Sequence, residues 1–226
     1  MRIVFLGDSL TEGVTGASYL RILGQRIASD PRLRDVELVN AGQGGDTILH
    51  LARRVASDVA PYVPDWVVVF VGVNDFRTWY VRRSFPTRAN LGSGYYFLRR
   101  KHLWHAVTPR RYSDGLWALV DDLRARTQAR IALCTPATAS ESRDTRAERM
   151  LDAYAGRVRE VARERDCALI DVRAAFLAAE ASLEASGADG YHLTCDGVHL
   201  SDAGAALVAG VFYDWLLRAA LVDRTS

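Results

Sequence analysis

The chain has 226 residues, 49% of them hydrophobic, which is enough to bury the core of one α/β domain. Its formal net charge of +2 does not by itself indicate a nucleic acid or an acidic partner. The three cysteines, Cys134, Cys167 and Cys195, are widely spaced and odd in number, which argues against a disulfide framework.

The N-terminal segment does not have the pattern of a secretory signal, because the apolar run after Arg2 is too short for one. No run of 18 or more apolar residues occurs, so we expect no stable membrane insertion. With the unpaired cysteines, these features favour a cytoplasmic protein. A chain trimmed of a leader would look the same.

Short apolar runs alternate with longer amphipathic stretches along the chain. The apolar runs predict five strands, at residues 3–6, 36–39, 66–71, 131–134 and 168–172. The amphipathic stretches predict helices at residues 18–29, 47–59, 113–126, 143–165, 173–186 and 201–221. This alternation predicts an α/β fold, with a parallel sheet between helices on both faces. The carboxyl ends of its strands then share one edge, where a ligand site is expected.

Residues 76–112 do not fit the alternation, because so long a connection between a strand and a helix is uncommon. The segment holds nine Arg or Lys residues, nine aromatic residues and no Asp or Glu. The leading hypothesis is a lid over the substrate pocket, within a single domain of residues 1–226. The alternatives are the interface of a homo-oligomer or of another partner, and a surface that docks an anionic lipid or glycan. Nucleic-acid binding is disfavoured, because the rest of the chain is acidic.

Four polar segments lie beside the ends of predicted strands or just before the last helix. They are Gly7-Asp8-Ser9-Leu10, residues 40–47, Gly72-Val73-Asn74-Asp75 and Asp196-Gly197-Val198-His199. Ser9 follows a buried strand at a turn into a helix, where an α/β fold exposes a side chain to the ligand crevice. It is therefore the candidate nucleophile.

Acyl transfer requires a base, a group that orients the base, and donors for the developing oxyanion. His199 can take the proton of Ser9, and Asp196 can reach its other ring nitrogen and fix the tautomer. The candidate oxyanion donors are the backbone N–H groups of Ser9 and Gly45 and the side-chain amide of Asn74. Gly42 and Gly44 are alternatives to Gly45.

A second Asp-Gly-x-His pattern, at residues 189–192, offers His192 as a rival base. Spacing alone does not choose between the two histidines. We favour His199 because the residues after it open a helix that Ser201 can cap, which would anchor the histidine. His192 is then a residue of the pocket wall or of the surface.

Other polar residues near these segments have less specific interpretations. The candidate substrate-binding residues are Asp8, Asp75, Phe76, Trp79 and His192. For Asp8 and Asp75 the preferred interpretation is hydrogen bonding to turn backbone, and Asp46 is expected to cap the next helix. The spacing of His192, Cys195 and His199 fits no common zinc site, so we expect no metal, and Cys195 has no separate base that would make it a nucleophile.

The four segments, in this order, resemble the blocks of the GDSL or SGNH hydrolase family of esterases and lipases. Position by position, Ser9 matches the nucleophile, Gly45 and Asn74 the oxyanion residues, and Asp196 and His199 the acid and the base. The resemblance implies a flavodoxin-like, three-layer α/β/α fold around a five-stranded parallel sheet, without metal or cofactor. The segment 76–112 is longer than the family's plain connection.

The leading hypothesis is therefore a serine hydrolase that cleaves a carboxylic ester through an acyl-enzyme on Ser9. Its small-molecule substrate would be a short acyl ester, an O-acetylated sugar or a lysophospholipid. The alternatives are an acyltransferase that uses an acceptor other than water, and a catalytically silent binding protein with the same fold.

Overall fold

The computed structural model describes residues 1–84, 106–138, 145–188 and 192–223. Its strands are β1 (Arg2–Gly7), β2 (Glu37–Gly42), β3 (Trp66–Phe70), β4 (Arg130–Cys134) and β5 (Ala168–Ile170). They form one sheet in the order β2-β1-β3-β4-β5, and every neighbouring pair is parallel. The five-stranded parallel sheet predicted from the sequence is confirmed.

Helices connect the strands and follow the last one. They are α1 (Ser9–Glu12), α2 (Tyr19–Ala28), α3 (Ile48–Leu51), α4 (Val55–Asp58), α5 (Val73–Ser84), α6 (Pro109–Arg126), α7 (Thr145–Glu164), α8 (Val172–Ala185) and α9 (Asp202–Asp223). Short 3₁₀ turns lie at Pro31–Leu33 and Ala60–Tyr62.

Each face of the sheet is covered by its own hydrophobic core, because successive strand residues point to opposite faces. In β1, Phe5 belongs to the core under α2 and α9, whereas Val4 belongs to the core under α6 and α7. On the first face Phe212 of α9 packs edge-on against Phe5, with the ring centroids 5.3 Å apart. On the second face the rings of Tyr112 and Tyr154 are 5.2 Å apart. The three-layer α/β/α architecture is thus confirmed.

The register of the strands brings their carboxyl ends level with one another. Gly7, the last residue of β1, pairs with Gly42 of β2 and with Phe70 of β3, and Phe70 pairs with Cys134 of β4. The segments that follow β1, β2 and β3 therefore begin side by side at one edge of the sheet. They contain three of the four polar segments that were identified in the sequence.

Several element boundaries differ from the predicted ones for local reasons. The predicted helix 47–59 is two short helices, α3 and α4. Helix α6 begins before the predicted residue 113, because Thr108 caps it and Pro109 suits its first position. The fifth strand ends before the predicted residue 172, because Asp171 caps α8 by accepting a hydrogen bond from the Ala174 N–H.

The segment 76–112 is in part an element of the core rather than an insertion. Its first residues continue α5, which starts three residues after β3 and was not predicted as a helix. At its other end Val107 and Tyr112 are fully buried in the core beneath α6 and α7. Residues 85–105 lie outside the described residues, so the hypothesis of a lid or an interface stays a prediction for them.

Helix α9 is long and apolar enough, by length and composition, to cross a membrane over Asp202–Ala220. Its residues Ala205, Val208, Phe212 and Leu216 are buried in the core of the first face of the sheet. The apolar character of α9 is accounted for by this packing, as expected for a core helix.

Candidate active site

The turn after β1 presents Ser9 at the carboxyl edge of the sheet. Asp8 caps the single-turn helix α1, since its Oδ1 accepts a hydrogen bond from the Leu10 N–H at 3.0 Å. Ser9 is the first residue of that helix, and its side chain is half-buried. The serine therefore faces the edge on which the strand ends converge.

The loop before α9 holds His199 in one orientation. Oδ1 of Asp196 accepts the backbone N–H groups of Val198 and His199, at 3.0 and 2.7 Å, and Oδ2 lies 2.7 Å from Nδ1 of His199. Ser201 caps α9 through a 3.1 Å hydrogen bond from the Gly204 N–H, as predicted. Partial burial raises the pKa of Asp196, but the hydrogen bonds from His199 and Val198 outweigh it, so that the pKa lies below its usual value.

These two segments meet through Ser9 and His199. Nε2 of His199 lies 3.2 Å from Oγ of Ser9. Because the Asp196 carboxylate can only accept, it places the ring proton on Nδ1 and leaves Nε2 to accept from the serine hydroxyl. The geometry is that of a serine made nucleophilic by an oriented histidine. His192 contributes its backbone oxygen, which accepts from the Ser201 hydroxyl at 2.5 Å.

The candidate oxyanion donors come from the ends of β1, β2 and β3. Asn74, the second residue of α5, donates from Nδ2 to the backbone oxygen of Asp46 at 3.0 Å and lies 3.4 Å from Oδ2 of Asp8. Gly45 adopts a φ of 81°, which favours glycine. In the described part of the chain, the backbone N–H groups of Ser9 and Gly45 have no hydrogen-bond acceptor, so both are available to a ligand.

Arg54 is a structural residue of the site that the sequence interpretation missed. It is 9% exposed, and its guanidinium donates to Oδ2 of Asp46, Oδ2 of Asp58 and the backbone oxygens of Ala41 and Gly7, each at 2.8 Å. It thereby ties the ends of β1 and β2 to the glycine-rich loop. The sequence signal that could have indicated a buried Arg54 is its position, directly before Val55 and three residues after Leu51, both of which are buried.

Asp46 does not cap the next helix, contrary to expectation. Thr47 and His50 form a capping box at the start of α3, in which the Thr47 N–H lies 3.1 Å from Nδ1 of His50. The Asp46 carboxylate pairs with Arg54 instead, and its backbone oxygen holds Asn74. Asp and Thr are both good capping residues, so sequence alone does not decide between neighbours.

Three of the five candidate substrate-binding residues are enclosed by protein. Asp8, Asp75 and Phe76 are at most 1% exposed. Asp75 accepts the Ile48 N–H at 3.1 and 3.2 Å, in line with the backbone-bonding interpretation, and Phe76 stacks on Tyr80 in the core. Burial therefore makes these three side chains poor substrate contacts. Trp79 and His192 are half-buried and remain candidates.

Burial also changes the acidity of the two enclosed carboxyl groups. It raises the pKa of Asp8 to about 7, an effect reinforced by the nearby charge of Asp46 and opposed by the hydrogen bond from Leu10. Burial likewise raises the pKa of Asp75 well above its usual value. Among the described residues, no three or more His, Cys, Asp and Glu side chains are grouped so that they could hold a metal ion.

Comparison with known proteins identifies the family of the chain. The GDSL-like lipase/acylhydrolase family matches residues 5–207. An acetylxylan esterase of Geobacillus stearothermophilus is 27% identical in an alignment of 233 positions that covers 95% of this chain and 95% of the relative. The crystal structure of the acetyl xylan esterase AlAXEase is 29% identical, with a TM-score of 0.76 over 95% of this chain and 98% of that one. That of the Geobacillus stearothermophilus acetylxylan esterase Axe2 is 25% identical, with a TM-score of 0.73 over 94% and 92%. The chain belongs to the GDSL-like lipase/acylhydrolase family and is a carboxylic ester hydrolase.

Proposed function

We propose that the protein removes acetyl groups from an O-acetylated sugar through an acyl-enzyme on Ser9. The observation that carries the chemistry is the chain of hydrogen bonds from Ser9 through His199 to Asp196. The sugar as substrate is supported by the relatives, which are acetylxylan esterases matched over almost their whole length.

In the first half of the reaction, Oγ of Ser9 bonds to the ester carbonyl carbon while Nε2 of His199 takes the hydroxyl proton. Asp196 stabilises the imidazolium that forms. The negative charge on the carbonyl oxygen is met by the backbone N–H groups of Ser9 and Gly45 and by the amide of Asn74. The bond to the sugar oxygen then breaks, and the proton on Nε2 passes to that oxygen as the sugar leaves.

In the second half, a water molecule gives a proton to Nε2 as its oxygen bonds to the acyl carbon. The bond to Oγ of Ser9 breaks, and the proton on Nε2 returns to the serine. The products are one carboxylic acid and one alcohol. Acyl transfer would use the same acyl-enzyme, with a second alcohol in place of water.

The substrate class is tested by rates on p-nitrophenyl esters of two, four and eight carbons, on an acetylated xylo-oligosaccharide and on a lysophospholipid. We expect release of acetate from the oligosaccharide and a preference for the two-carbon acyl group. A rate that rises with chain length, or cleavage of the lysophospholipid alone, would contradict the sugar as substrate. A mixed ester formed in the presence of added alcohol would show acyl transfer instead.

The acyl-enzyme is tested with a fluorophosphonate probe, which reacts with an activated serine. We expect the probe to label Ser9 and the label to be lost in Ser9→Ala. A wild-type protein that fails to react with the probe and cleaves no ester would favour a catalytically silent binding protein.

A further inference from the structure

The carboxylate of Glu12 lies beside the nucleophile. A Cβ atom placed on Gly44 would lie 2.7 Å from Oε2 of Glu12 and 3.9 Å from Cβ of Ser9. The side chains of Glu12 and Ser9 therefore both lie close to the Cβ position of Gly44. Glu12 and Ser9 are also the last and first residues of the same helical turn, α1, so their relative position is fixed by four residues of backbone.

In the part of the chain that the structure describes, the Glu12 carboxylate has no structural partner. Among the described residues it accepts no hydrogen bond and forms no ion pair, although its backbone oxygen accepts one from Nδ2 of Asn40 at 3.3 Å. The side chain is half-buried. The carboxylate is therefore not engaged by the described residues, and its side chain is partly accessible.

We propose that Glu12 binds a free hydroxyl group on the alcohol part of the ester, next to the acetylated position. This inference rests on the proposed cleavage of sugar esters at Ser9. An ionised carboxylate only accepts hydrogen bonds, so its partner must be a donor, and a partly acetylated sugar offers hydroxyl donors on neighbouring carbons. Hydrogen bonds to a charged group are about twice as strong as neutral ones. An alkyl chain offers no such donor, so Glu12 selects a polyhydroxylated alcohol.

Gly44 provides the space that the carboxylate occupies. Alanine at this position would bring its Cβ to 2.7 Å from Oε2 of Glu12, closer than nonbonded atoms tolerate. The Glu12 carboxylate is the flexible end of its side chain, so it would have to leave this position. Gly44→Ala thus displaces the charge that Glu12→Ala deletes, and the two variants test one contact in two ways.

The test compares three acetyl esters. The first is a methyl xyloside with one acetyl group and free neighbouring hydroxyls, the second is the same compound with those hydroxyls methylated, and the third is p-nitrophenyl acetate. For each protein, kcat/KM of each sugar ester is divided by that of p-nitrophenyl acetate. This ratio cancels a change in the fraction of folded protein, and the methylated sugar, whose leaving oxygen needs the same proton from His199, controls for a change in the chemistry at Ser9.

In Glu12→Ala we expect the ratio for the free-hydroxyl sugar to fall about tenfold or more, as for loss of a hydrogen bond to a charged group. Glu12→Gln and Gly44→Ala should reduce this ratio by a smaller factor, and the ratio for the methylated sugar should not change. The matched control is Glu164→Ala, because Glu164 is also the last residue of its helix and is exposed. Its ratios should equal those of the wild type.

This inference would be wrong, and the proposed function would stand, if Glu12→Ala and the wild type gave equal ratios. It would also be wrong if Glu12→Ala lowered the ratio equally for the sugar with free hydroxyls and for the methylated sugar. If the wild-type protein cleaved none of the three esters, the proposed function would fail, and this inference with it. A loss confined to the sugar with free hydroxyls would establish the contact.

Discussion

The hydroxyl of Ser9 lies 3.2 Å from Nε2 of His199, although 190 residues separate the two in the chain. The loop after α1 keeps them together. The Ala17 N–H donates to the backbone oxygen of Leu200 at 2.8 Å, and Gly16 packs so closely on Leu200 that a Cβ atom there would lie 2.5 Å from the same oxygen. The turn with the serine and the loop with the histidine are therefore fixed to each other by backbone.

His199 rather than His192 is predicted to be the base. His199→Ala should lower kcat on p-nitrophenyl acetate by about 10⁴-fold or more, because Ser9 loses its proton acceptor. The matched substitution His192→Ala should cost less than about tenfold, since the contact of His192 near this site is made by its backbone oxygen. Steady-state kinetics of the two purified variants decide the matter. A larger loss in His192→Ala would reverse the assignment.

The sequence predicted those parts of the molecule for which the local pattern of apolar residues and the geometry of a parallel α/β fold indicate the same arrangement. Apolar runs located the five strands, and the parallel sheet then placed the segments around Ser9 and Asn74 at one edge. Helix α5 was missed because Arg77, Arg82 and Arg83 interrupt its apolar pattern. Arg54 was missed because a buried cation is recognised from its partners, Asp46 and the strand-end carbonyl groups, which are distant in sequence.

Asp8 is predicted to make the protein less stable as the pH rises. In the folded protein its pKa is raised to about 7 from an ordinary value of 3.8. Between these two pKa values the unfolded chain releases the proton while the folded chain keeps it. The free energy of unfolding therefore falls as the pH rises through this window, and the full loss of stability is present above about pH 7. Asp8→Asn removes this titration. We expect the stability of the variant relative to the wild type to increase by about 2–3 kcal/mol between pH 5 and pH 8.

Urea unfolding of both proteins at the two pH values measures this difference. Titrating groups that do not interact with Asp8 are common to both proteins and cancel when the two curves are subtracted. The buried Asp75 does not cancel, because the charge of Asp8 helps to raise its pKa, so the comparison is repeated in an Asp75→Asn background. Parallel pH profiles would show that Asp8 is not a source of the pH dependence.

Arg54 is predicted to support both the fold and the site. Arg54→Met keeps much of the side-chain volume but leaves the buried Asp46 carboxylate without its cation, which should cost about 3–5 kcal/mol in the free energy of unfolding. Because the backbone of Asp46 holds the Asn74 amide, kcat should fall as well. Arg54→Lys should lie between Arg54→Met and the wild type, since one ammonium group cannot serve all the acceptors of a guanidinium.

The neighbouring Arg53 provides the control for Arg54, because it is exposed. Arg53→Met should change the free energy of unfolding by less than about 0.5 kcal/mol. Similar losses of stability in the two methionine variants would mean that the hydrogen bonds of Arg54 are not what holds the ends of β1 and β2.

Gly72 is predicted to be intolerant of a side chain, because it joins β3 to the helix that carries Asn74 with a φ of 135°. A Cβ atom there would lie 2.9 Å from the hydroxyl of Tyr112, which donates to the backbone oxygen of Val71 at 2.8 Å. Gly72→Ala should therefore destabilise the fold by an amount on the order of 2 kcal/mol and lower kcat by shifting Asn74.

Two further variants separate the causes of this effect. Gly156→Ala is the matched control: Gly156 lies within α7 with open space around its Cβ position, so alanine should stabilise the protein by about 0.5–1 kcal/mol. Tyr112→Phe removes the obstructing hydroxyl, and alone it should cost about 1–3 kcal/mol because the Val71 oxygen loses its donor. If the contact with Tyr112 dominates, the double variant Gly72→Ala/Tyr112→Phe loses less stability than the sum of the single losses. Strictly additive losses, measured by urea unfolding, would assign the effect of Gly72→Ala to its backbone conformation instead.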